Sequence, residues 1–397
     1  MHGGDAMTTY YPVDDVALVD LATRLARTAS VSGSEGPAVS LVTQAMKAAG
    51  FDTVEVDGSG NAVGALGPRH GRTIMIDGHI DSIPLHSPER WSVDPFGGEV
   101  REGNLYGLGI CDQKASIAAA VQGVAAAGPA LTARVVVVAS VCEEEMEGGA
   151  LAEPIAALRP DAFVTSEPND TRLCIGQRGR AKVEVTVIGR ACHAGHAAVG
   201  LNAAHAMAVL VGEVAQLDHP SHPRLGRRDL NCIDLHSEPY PSVSTIPGSV
   251  TARFDCRFLP GETPESIVAL LRAAADRAWA GWPERPRLDV GLVEAAFETW
   301  TGRGFSLPEY AAAWWTPEDS ELVRGATGAL ASVGLDPTPT HYSFCTNGSY
   351  AAGICGIPTI GFGVGVESMA HQVDEHVSLR SLRAGAQGYA ALATMPL

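Results

Sequence analysis

The sequence predicts an α/β protein in which a mixed, mainly parallel sheet carries helices on both faces and an α+β domain interrupts the chain. Three observations support this prediction. Strand-like and helix-like segments alternate near both ends, the pattern changes near Gln177, and 397 residues suffice for about two or three structural units. We therefore expect a discontinuous larger domain over residues 1–178 and 296–397, with a smaller domain over residues 179–295 between its two parts.

The first part of the chain alternates helices with strands. Apolar residues at helical spacing predict a helix over 14–29, and Pro37 and Gly50 mark the start and end of a second helix. The next predicted elements are strands at 52–56 and 73–76, a helix at 114–127, a strand at 135–138 and a strand ending near Thr165. Strands that alternate with helices form βαβ units, which is why we expect a mainly parallel sheet.

The middle of the chain has a different character. After Gln177, the predicted elements are strands at 182–188 and 250–258 and helices at 203–214 and 264–280. The α/β pattern then returns with a helix at 317–333, a strand at 358–362 and a helix at 379–393. This order predicts an α+β insert that projects from the larger domain.

Composition excludes several classes of protein. The 28 Lys and Arg residues against 45 Asp and Glu residues give a formal charge of −17, so we expect no nucleic-acid partner. A hydrophobic fraction of 46% with 18% charged residues indicates a folded protein. The sequence has no apolar run long enough for a membrane span and begins without a secretory signal, so we expect a cytoplasmic protein without a membrane partner.

Two polar positions follow or adjoin predicted elements of the larger domain. His79 and Asp81 come directly after a strand, where an imidazole can bind a metal and a carboxylate can orient it through its other ring nitrogen. A solvated turn is the alternative for this pair. Asp112 stands at the entrance to a helix, where its carboxylate could bridge two cations or simply cap the helix.

Acidic residues follow two further strands. Glu143 and Glu144 come after the strand at 135–141, and adjacent carboxylates repel one another unless a cation compensates them. A solvated acidic turn is the alternative there, and a plain loop is the alternative for Glu167. His371 follows a glycine-rich segment near the predicted sheet edge. Because ligands of open α/β sheets gather where the carboxyl ends of the strands converge, we expect these residues to meet in one crevice.

These motifs, in this order and spacing, resemble the M20 metallopeptidase family, which includes carboxypeptidase G2, acetylornithine deacetylase, succinyl-diaminopimelate desuccinylase and aminoacylases. The resemblance spans nearly the whole chain. It is greatest to the YgeY-like branch of the family, on the segments 91–96, 176–180 and 314–317.

The resemblance implies a catalytic domain at 1–178 and 296–397 and a lid that also dimerises at 179–295. It implies two Zn²⁺ ions per subunit, with Co²⁺ or Mn²⁺ as possible substitutes, bridged by Asp112. The resemblance implies that His79 and Glu167 bind one ion and that Glu144 and His371 bind the other. It implies that Glu143 is the general base and that Asp81 orients His79. It also implies that His193 stabilises an oxyanion in the neighbouring subunit and that Arg257 and Asn347 bind the substrate.

The function that we expect is metal-dependent hydrolysis of a small amide, such as an N-acyl amino acid, by a homodimer. A dipeptidase or carboxypeptidase would use the same metals and the same base, so the sequence leaves that alternative open. A binding protein without catalysis is a more distant alternative. The segment Ser244–Pro247 departs from many family members, which have Asn near this position, so the sequence does not define the substrate.

Overall fold

The computed structural model describes residues 8–396. Its α-helices are α1 (Asp15–Ala26), α2 (Gly36–Ala48), α3 (Ala115–Ala127), α4 (Ala152–Leu158), α5 (Ala203–Val214), α6 (Pro264–Ala278), α7 (Glu321–Ser332) and α8 (Leu379–Ala393).

The strands, in chain order, are β1 (Thr53–Val56), β2 (Ala62–Leu66), β3 (Thr73–His79), β4 (Val100–Arg101), β5 (Asn104–Tyr106), β6 (Arg134–Ser140), β7 (Ala162–Thr165), β8 (Cys174–Gln177), β9 (Gly179–Ile188), β10 (Cys192–His193), β11 (Ser221–His222), β12 (Gly226–Arg227), β13 (Asp229–Glu238), β14 (Thr245–Ile246), β15 (Ser249–Phe258), β16 (Arg287–Leu292), β17 (Glu294–Glu298), β18 (Gly304–Pro308), β19 (Tyr310–Ala311), β20 (Trp314–Trp315), β21 (Thr340–Tyr342), β22 (Thr359–Gly361) and β23 (His376–Ser378).

Several helix starts follow directly from the local sequence. The side chain of Asp14 accepts hydrogen bonds from the first free backbone N–H groups of α1. Pro37 lies in the first turn of α2, as its fixed φ favours. The side chain of Ser320 caps α7, so that helix begins at Glu321 rather than at the predicted Pro317.

The chain divides into two compact units. The first unit consists of Met1–Gln177, Ala296–Phe305 and Trp315–Leu397, and the second consists of Arg178–Ala295 and Ser306–Trp314. The sequence assigned Ser306–Trp314 to the larger domain. This segment belongs to the second unit because its strand β19 pairs with β9.

The main sheet has nine strands in the order β1-β2-β6-β3-β7-β22-β8-β20, with β21 beside β8. The neighbours β6, β3, β7 and β22 at its centre are all parallel to one another, whereas β1 and β2 are antiparallel at one edge. Alternate residues of β6 face two separate apolar cores, one with α1, α2, α3 and α8 and the other with α4. The predicted α/β class with helices on both faces is confirmed.

Close packing of α3 against α8 fixes the helix that follows the Asp112 turn. A Cβ atom added to Gly123 would lie 2.4 Å from the carbonyl oxygen of Ala386, so only glycine allows this approach. Nearly all residues of α3 are buried. The close approach to α8 and this burial therefore hold α3 in place.

The second unit is an α+β structure. Its sheet runs β13-β15-β9-β16, with β19 also beside β9, and the pairings are antiparallel. Buried and half-buried residues alternate along β9, and its buried positions form an apolar core with α5 and α6. Over residues 8–396, we find no helix that is both long and apolar enough to span a bilayer.

Candidate metal centre

Three neighbouring strands place acidic and imidazole side chains at one edge of the main sheet. His79 is the last residue of β3, Glu143 and Glu144 follow β6, and Glu167 follows β7. Because β6, β3 and β7 are parallel neighbours, their carboxyl ends lie side by side. The sequence predicted this convergence, and the structure brings these four residues together.

Loops supply the two remaining residues of the cluster. Asp112 lies in the irregular turn Ile110–Lys114 ahead of α3, and its peptide bond to Gln113 is cis. Its side chain does not cap α3, which has no side-chain cap. His371 lies beyond β22 in a loop and has a left-handed backbone, with φ 59°. Its side chain is 44% exposed, so the cluster opens to solvent on this side.

Five of the six side chains form two groups that share Asp112. In the first group, His79 Nε2 lies 3.0 Å from Asp112 Oδ1 and 4.0 Å from Glu167 Oε1. In the second group, His371 Nε2 lies 3.2 Å from Asp112 Oδ2 and 3.0 Å from Glu144 Oε1. Within each group the ligand atoms all lie within 4.8 Å of one another. The two oxygens of Asp112 thus face two different ligand sets.

The chemistry of this cluster fits a pair of divalent cations. Imidazole nitrogens and carboxylate oxygens are ordinary ligands of Zn²⁺, Co²⁺ and Mn²⁺. Four carboxylates converge here with two histidines, and Glu143 Oε1 is buried with no hydrogen-bond partner. Buried carboxylates require paired charge or a metal.

The pKa values of the clustered residues also indicate that the cluster lacks positive charge. Burial and nearby carboxylates raise the pKa values of Glu143 and Glu167 well above the usual range. Hydrogen bonds with Asp112 and Glu144 raise the pKa of His371 to about 10. Burial alone would lower the pKa of His79, but its acidic neighbours, led by Glu143, raise it. Bound cations would supply this charge without protons.

Glu143 lies beside the first ligand group. Its carboxylate Oε2 is 3.9 Å from His79 Nε2, and the residue is 8% exposed. The turn that holds it begins at Cys142, which has a left-handed backbone with φ 56°. Glu143 therefore has one oxygen near the ligand set and another without a partner, which suits a group that exchanges protons.

Asp81 has more partners than the sequence predicted. Its carbonyl oxygen lies 3.1 Å and its carboxylate Oδ1 3.5 Å from His79 Nδ1, which leaves Nε2 of the ring facing the cluster. Its carboxylate also accepts the backbone N–H groups of Glu143 and Glu144, both at 3.1 Å, and the hydroxyl of Ser32 at 2.8 Å. Asp81 thus contacts both the imidazole and the acidic turn.

Two buried glutamates near the cluster had no signal in the sequence. Glu375 accepts backbone N–H bonds from the loop of Asp112, and Glu35 accepts the N–H groups of Gly33 and Cys142, both at 3.0 Å. Burial raises the pKa of Glu375 to about 7 and also raises the pKa of Glu35. Both residues support loops that carry members of the cluster.

Asn347 is placed differently from its predicted role as a substrate-binding residue. The residue is 2% exposed. Its amide donates to Asp77 Oδ2 at 2.8 Å and Ser140 Oγ at 3.1 Å, and its oxygen accepts the N–H of Gly148 at 2.5 Å. With both donor hydrogens used inside the protein, Asn347 stabilises the ends of β3 and β6 in this structure and presents no free donor to a substrate.

His193 and Arg257 belong to the second unit. His193 is exposed, and its Nδ1 accepts the N–H of Gly195 at 3.0 Å. Arg257 lies on β15, where its Nε donates to Asp255 Oδ1 at 2.8 Å. Their predicted roles towards a substrate remain predictions.

Comparison with known proteins identifies the family of the chain. The family model described as "Peptidase family M20/M25/M40" matches residues 75–395, which include all six side chains of the cluster. The chain belongs to peptidase family M20/M25/M40. The predicted resemblance is thereby confirmed, and the chain is a hydrolytic enzyme of the M20 metallohydrolase type.

Similar sequences cover nearly the full length of the chain. The Escherichia coli K12 protein named "Uncharacterized protein YgeY" is 29% identical over 372 residues, covering 91% of this chain and 90% of that protein. Succinyl-diaminopimelate desuccinylase 2 of Ruegeria sp. is 27% identical over 388 residues, covering 92% and 91%. The predicted similarity to the YgeY-like branch of the M20 family is thus supported along the chain.

Solved structures share the fold at low sequence identity. Aminopeptidase PepT from Bacillus cereus matches with a TM-score of 0.76 and 18% identity, covering 96% of this chain and 98% of that one. The YXEP protein of Bacillus subtilis, described as a dinuclear metal-binding peptidase of the M20 family, matches with a TM-score of 0.71 and 14% identity, covering 96% and 97%. These matches show that the chain has the fold of M20 peptidases.

Proposed function

We propose that this M20 enzyme uses two Zn²⁺ ions to hydrolyse the amide bond of a small N-acyl amino acid or a related amide. The position of Asp112 is the observation that carries this proposal. Its two carboxylate oxygens face two histidines, 3.0 Å from His79 and 3.2 Å from His371. A carboxylate can serve two ligand sets in this way because each of its oxygens can bind a different ion. Co²⁺ and Mn²⁺ are candidate substitutes because they accept the same ligands.

Each ion would have its own pair of additional ligands. His79 and Glu167 would hold one ion and Glu144 and His371 the other, with Asp112 between them. When bound, the cations would polarise the amide carbonyl and lower the pKa of a water molecule towards about 7. The role of the chain is then to hold its ligands in place and to move protons.

Glu143 would act as the general base. A carboxylate with a raised pKa accepts a proton more readily than an ordinary one, and burial together with neighbouring acids raises the pKa of Glu143. Its oxygens would take the proton of the attacking water and return it to the departing amine. A base in this position contributes about 10²–10⁴ in rate.

His193 is suited to stabilise an oxyanion. Because its Nδ1 accepts the Gly195 N–H, a neutral ring must carry its own hydrogen on Nε2. That N–H is a hydrogen-bond donor on an exposed side chain. We propose that His193 donates it to the developing oxyanion of a substrate, and that it does so in the neighbouring subunit.

An exposed edge strand of the second unit supports the proposal of a homodimer. Strand β13 is an edge strand of ten residues, and most of it is exposed, including Ile233 and Leu235 at 56% and 50%. Long edge strands with exposed apolar residues readily pair with another chain. We propose that β13 contributes to a homodimer. If light scattering shows that the protein is a monomer and this monomer is fully active, the proposed action of His193 in a neighbouring subunit is refuted.

The substrate proposal rests on a relative and on one side chain. The Ruegeria relative is named a desuccinylase, which favours a short acyl group on the substrate. Arg257 presents a guanidinium whose fork can bind a carboxylate through two hydrogen bonds, although Asp255 occupies part of it in this structure. Arg257 would therefore bind the carboxylate of an amino-acid product or substrate.

A variant of the general base tests the mechanism. Glu143→Gln preserves shape but cannot accept a proton, so the rate should fall by about 10²–10⁴ while both ions remain bound. Glu145→Gln, two positions along the same turn and exposed, is the matched control and should keep its activity. A Glu143→Gln enzyme with most of its rate would remove Glu143 from the mechanism.

A substrate panel separates deacylase from peptidase. N-succinyl, N-acetyl and N-formyl amino acids would be compared with dipeptides by kcat/KM, using protein loaded with Zn²⁺, Co²⁺ or Mn²⁺. A preference for acyl amino acids supports the proposal, whereas a preference for dipeptides would make the enzyme a dipeptidase or carboxypeptidase. If the chain holds fewer than one ion and hydrolyses none of these compounds after metal has been supplied, a binding protein without catalysis is favoured.

A further inference from the structure

We infer that Glu375 is a positioning residue that holds the bridging carboxylate Asp112 within reach of both ligand groups. This inference rests on the proposed metal centre. Glu375 is 1% exposed and contacts the Asp112 loop through its carboxylate, but it belongs to neither ligand group. It would therefore affect metal binding through the geometry of the site and not as a metal ligand.

The carboxylate of Glu375 binds three backbone N–H groups of the Asp112 loop. Its Oε2 accepts the N–H of Gly109 at 2.9 Å, and its Oε1 accepts those of Cys111 at 2.8 Å and Asp112 at 3.1 Å. Hydrogen bonds to a carboxylate are stronger than those between neutral groups. One buried side chain thus fixes three of the four residues from Gly109 to Asp112.

The Asp112 loop needs this support because its backbone is irregular. Gly109 is left-handed, with φ 74°, and Asp112 has φ −118° and ψ 89°, far from helical values. Backbone N–H groups in such a turn lack the regular partners of a helix, and buried donors must be satisfied elsewhere. Glu375 satisfies three of them and thereby selects one conformation of the turn.

Glu375 also connects the two loops that carry ligands of the second ion. It lies four residues after His371, and its own carbonyl oxygen accepts the N–H of Gly107 at 3.0 Å. The adjacent strand β23 pairs with β5, where His376 faces Tyr106. The segment with His371 and the segment with Asp112 are therefore joined on both sides of Glu375.

This arrangement predicts a distinctive metal-binding defect. Asp112 belongs to both ligand groups, so a displaced Asp112 weakens both ions together, whereas Glu144 belongs to one group only. Glu375→Gln retains the shape but places an NH₂ group against at least one backbone donor. We expect Glu375→Gln to weaken both binding steps by about 10–100-fold, the usual effect of losing a partner that orients ligands. Glu144→Gln should weaken one step.

The control is another carboxylate that holds a loop. Asp57 accepts the backbone N–H groups of Ser59, Gly60 and Asn61 at 2.9–3.0 Å, and it belongs to neither ligand group. Asp57→Asn is the same change from a carboxylate to an amide as Glu375→Gln, and with the amide oxygen in the place of Oδ1 it sets an NH₂ group against the Asn61 amide that Oδ2 now accepts. It should therefore reduce stability without changing the affinity for metal.

The experiment measures Zn²⁺ and Co²⁺ binding to full-length metal-free protein by competition with a chromophoric chelator. The visible spectrum of the Co²⁺-loaded protein serves as a second readout, because its band positions and intensities report coordination geometry. Loss of affinity in both steps, with an altered Co²⁺ spectrum, supports the inference. Glu375→Asp, which keeps the charge on a shorter side chain, should give an intermediate loss, and it decides the question if the Gln variant does not fold.

Three other outcomes distinguish a failure of this inference from a failure of the proposed metal centre. If the wild type binds two ions and Glu375→Gln binds both with unchanged affinity and spectrum, Glu375 does not position Asp112. An equal loss in Asp57→Asn would show a general effect of instability and would also overturn the inference. If the wild type itself binds fewer than two ions, the proposed metal centre fails.

Discussion

Replacing Asp81 with Asn tests whether this residue organises the centre. The carboxylate accepts three hydrogen bonds, from the Ser32 hydroxyl at 2.8 Å and from the Glu143 and Glu144 N–H groups at 3.1 Å. Asn has one acceptor oxygen and one NH₂ donor. Because Oδ1 and Oδ2 each accept a different backbone N–H, either orientation of the amide sets its NH₂ against one of them.

The expected cost follows from that unsatisfied donor. A buried donor without a partner costs about 1–3 kcal/mol, so the free energy of unfolding of the metal-free protein should fall by about that amount. The same change loosens the turn with Glu143 and removes the charge beside His79. We expect kcat and metal affinity to fall by about 10–100-fold.

Urea unfolding, chelator competition and steady-state kinetics measure these three effects. Ser32→Ala is the matched control, because it removes one partner of Asp81 but leaves both backbone hydrogen bonds in place. Its effect on kcat should remain below about threefold. If Asp81→Asn keeps kcat and metal affinity within the same range, Asp81 does not orient the site.

Three further predictions concern pH, Asn347 and metal removal. Burial raises the pKa of Asp77 from 3.8 to about 6, so its contribution to stability is complete below pH 4 and is lost as the pH rises towards 6 and beyond. In urea unfolding of the metal-free protein, Asp77→Asn should reduce the loss of stability over that range by about 3 kcal/mol, and the loss that remains comes from other carboxyls with raised pKa values, among them Glu143, Glu167 and Glu375. Asn347→Ala should lower the free energy of unfolding by about 2–4 kcal/mol through its lost hydrogen bonds but change KM less than threefold; a large rise in KM would restore its predicted contact with substrate. Dialysis against a chelator should lower the melting temperature, and Zn²⁺ at 100 times its Kd should restore about 2.7 kcal/mol per ion; an unchanged melting temperature would argue against a site of this affinity.

The sequence predicted most helices and several of the buried strands. The predicted bounds of α5 and α8 agree with the structure, because each has a clear apolar period and a polar residue at its start. Strand β2 was not predicted, since its residues Ala62–Leu66 are mostly small and have little β propensity. Strand β13 was also missed, because an exposed edge strand need not alternate between apolar and polar residues.

The ligand cluster was predictable because it lies at strand ends. Parallel neighbouring strands bring their carboxyl ends together, so residues distant in sequence, such as His79 and Glu167, were expected to meet. The supporting residues were not predictable in the same way. Glu35 and Glu375 bind backbone N–H groups, and such bonds leave no pattern of residue types in a sequence.

Asn347 illustrates a second limit of sequence reasoning. Its partners, Asp77 and Ser140, lie on β3 and β6, which precede it by about 200 residues or more. The resemblance implies that Asn347 binds the substrate, whereas its side chain is buried and makes three internal hydrogen bonds in this structure; its role towards a substrate stays a prediction. Proximity to a site can be inferred from sequence more readily than the direction of a side chain.

Anomalous diffraction from a crystal of the Zn²⁺-loaded enzyme tests the central claim most directly. We predict two zinc peaks per chain, each about 2.0–2.2 Å from a different carboxylate oxygen of Asp112. His79 and Glu167 should complete one coordination sphere, and Glu144 and His371 the other. A single peak, or two peaks of which one has no contact with Asp112, would contradict it.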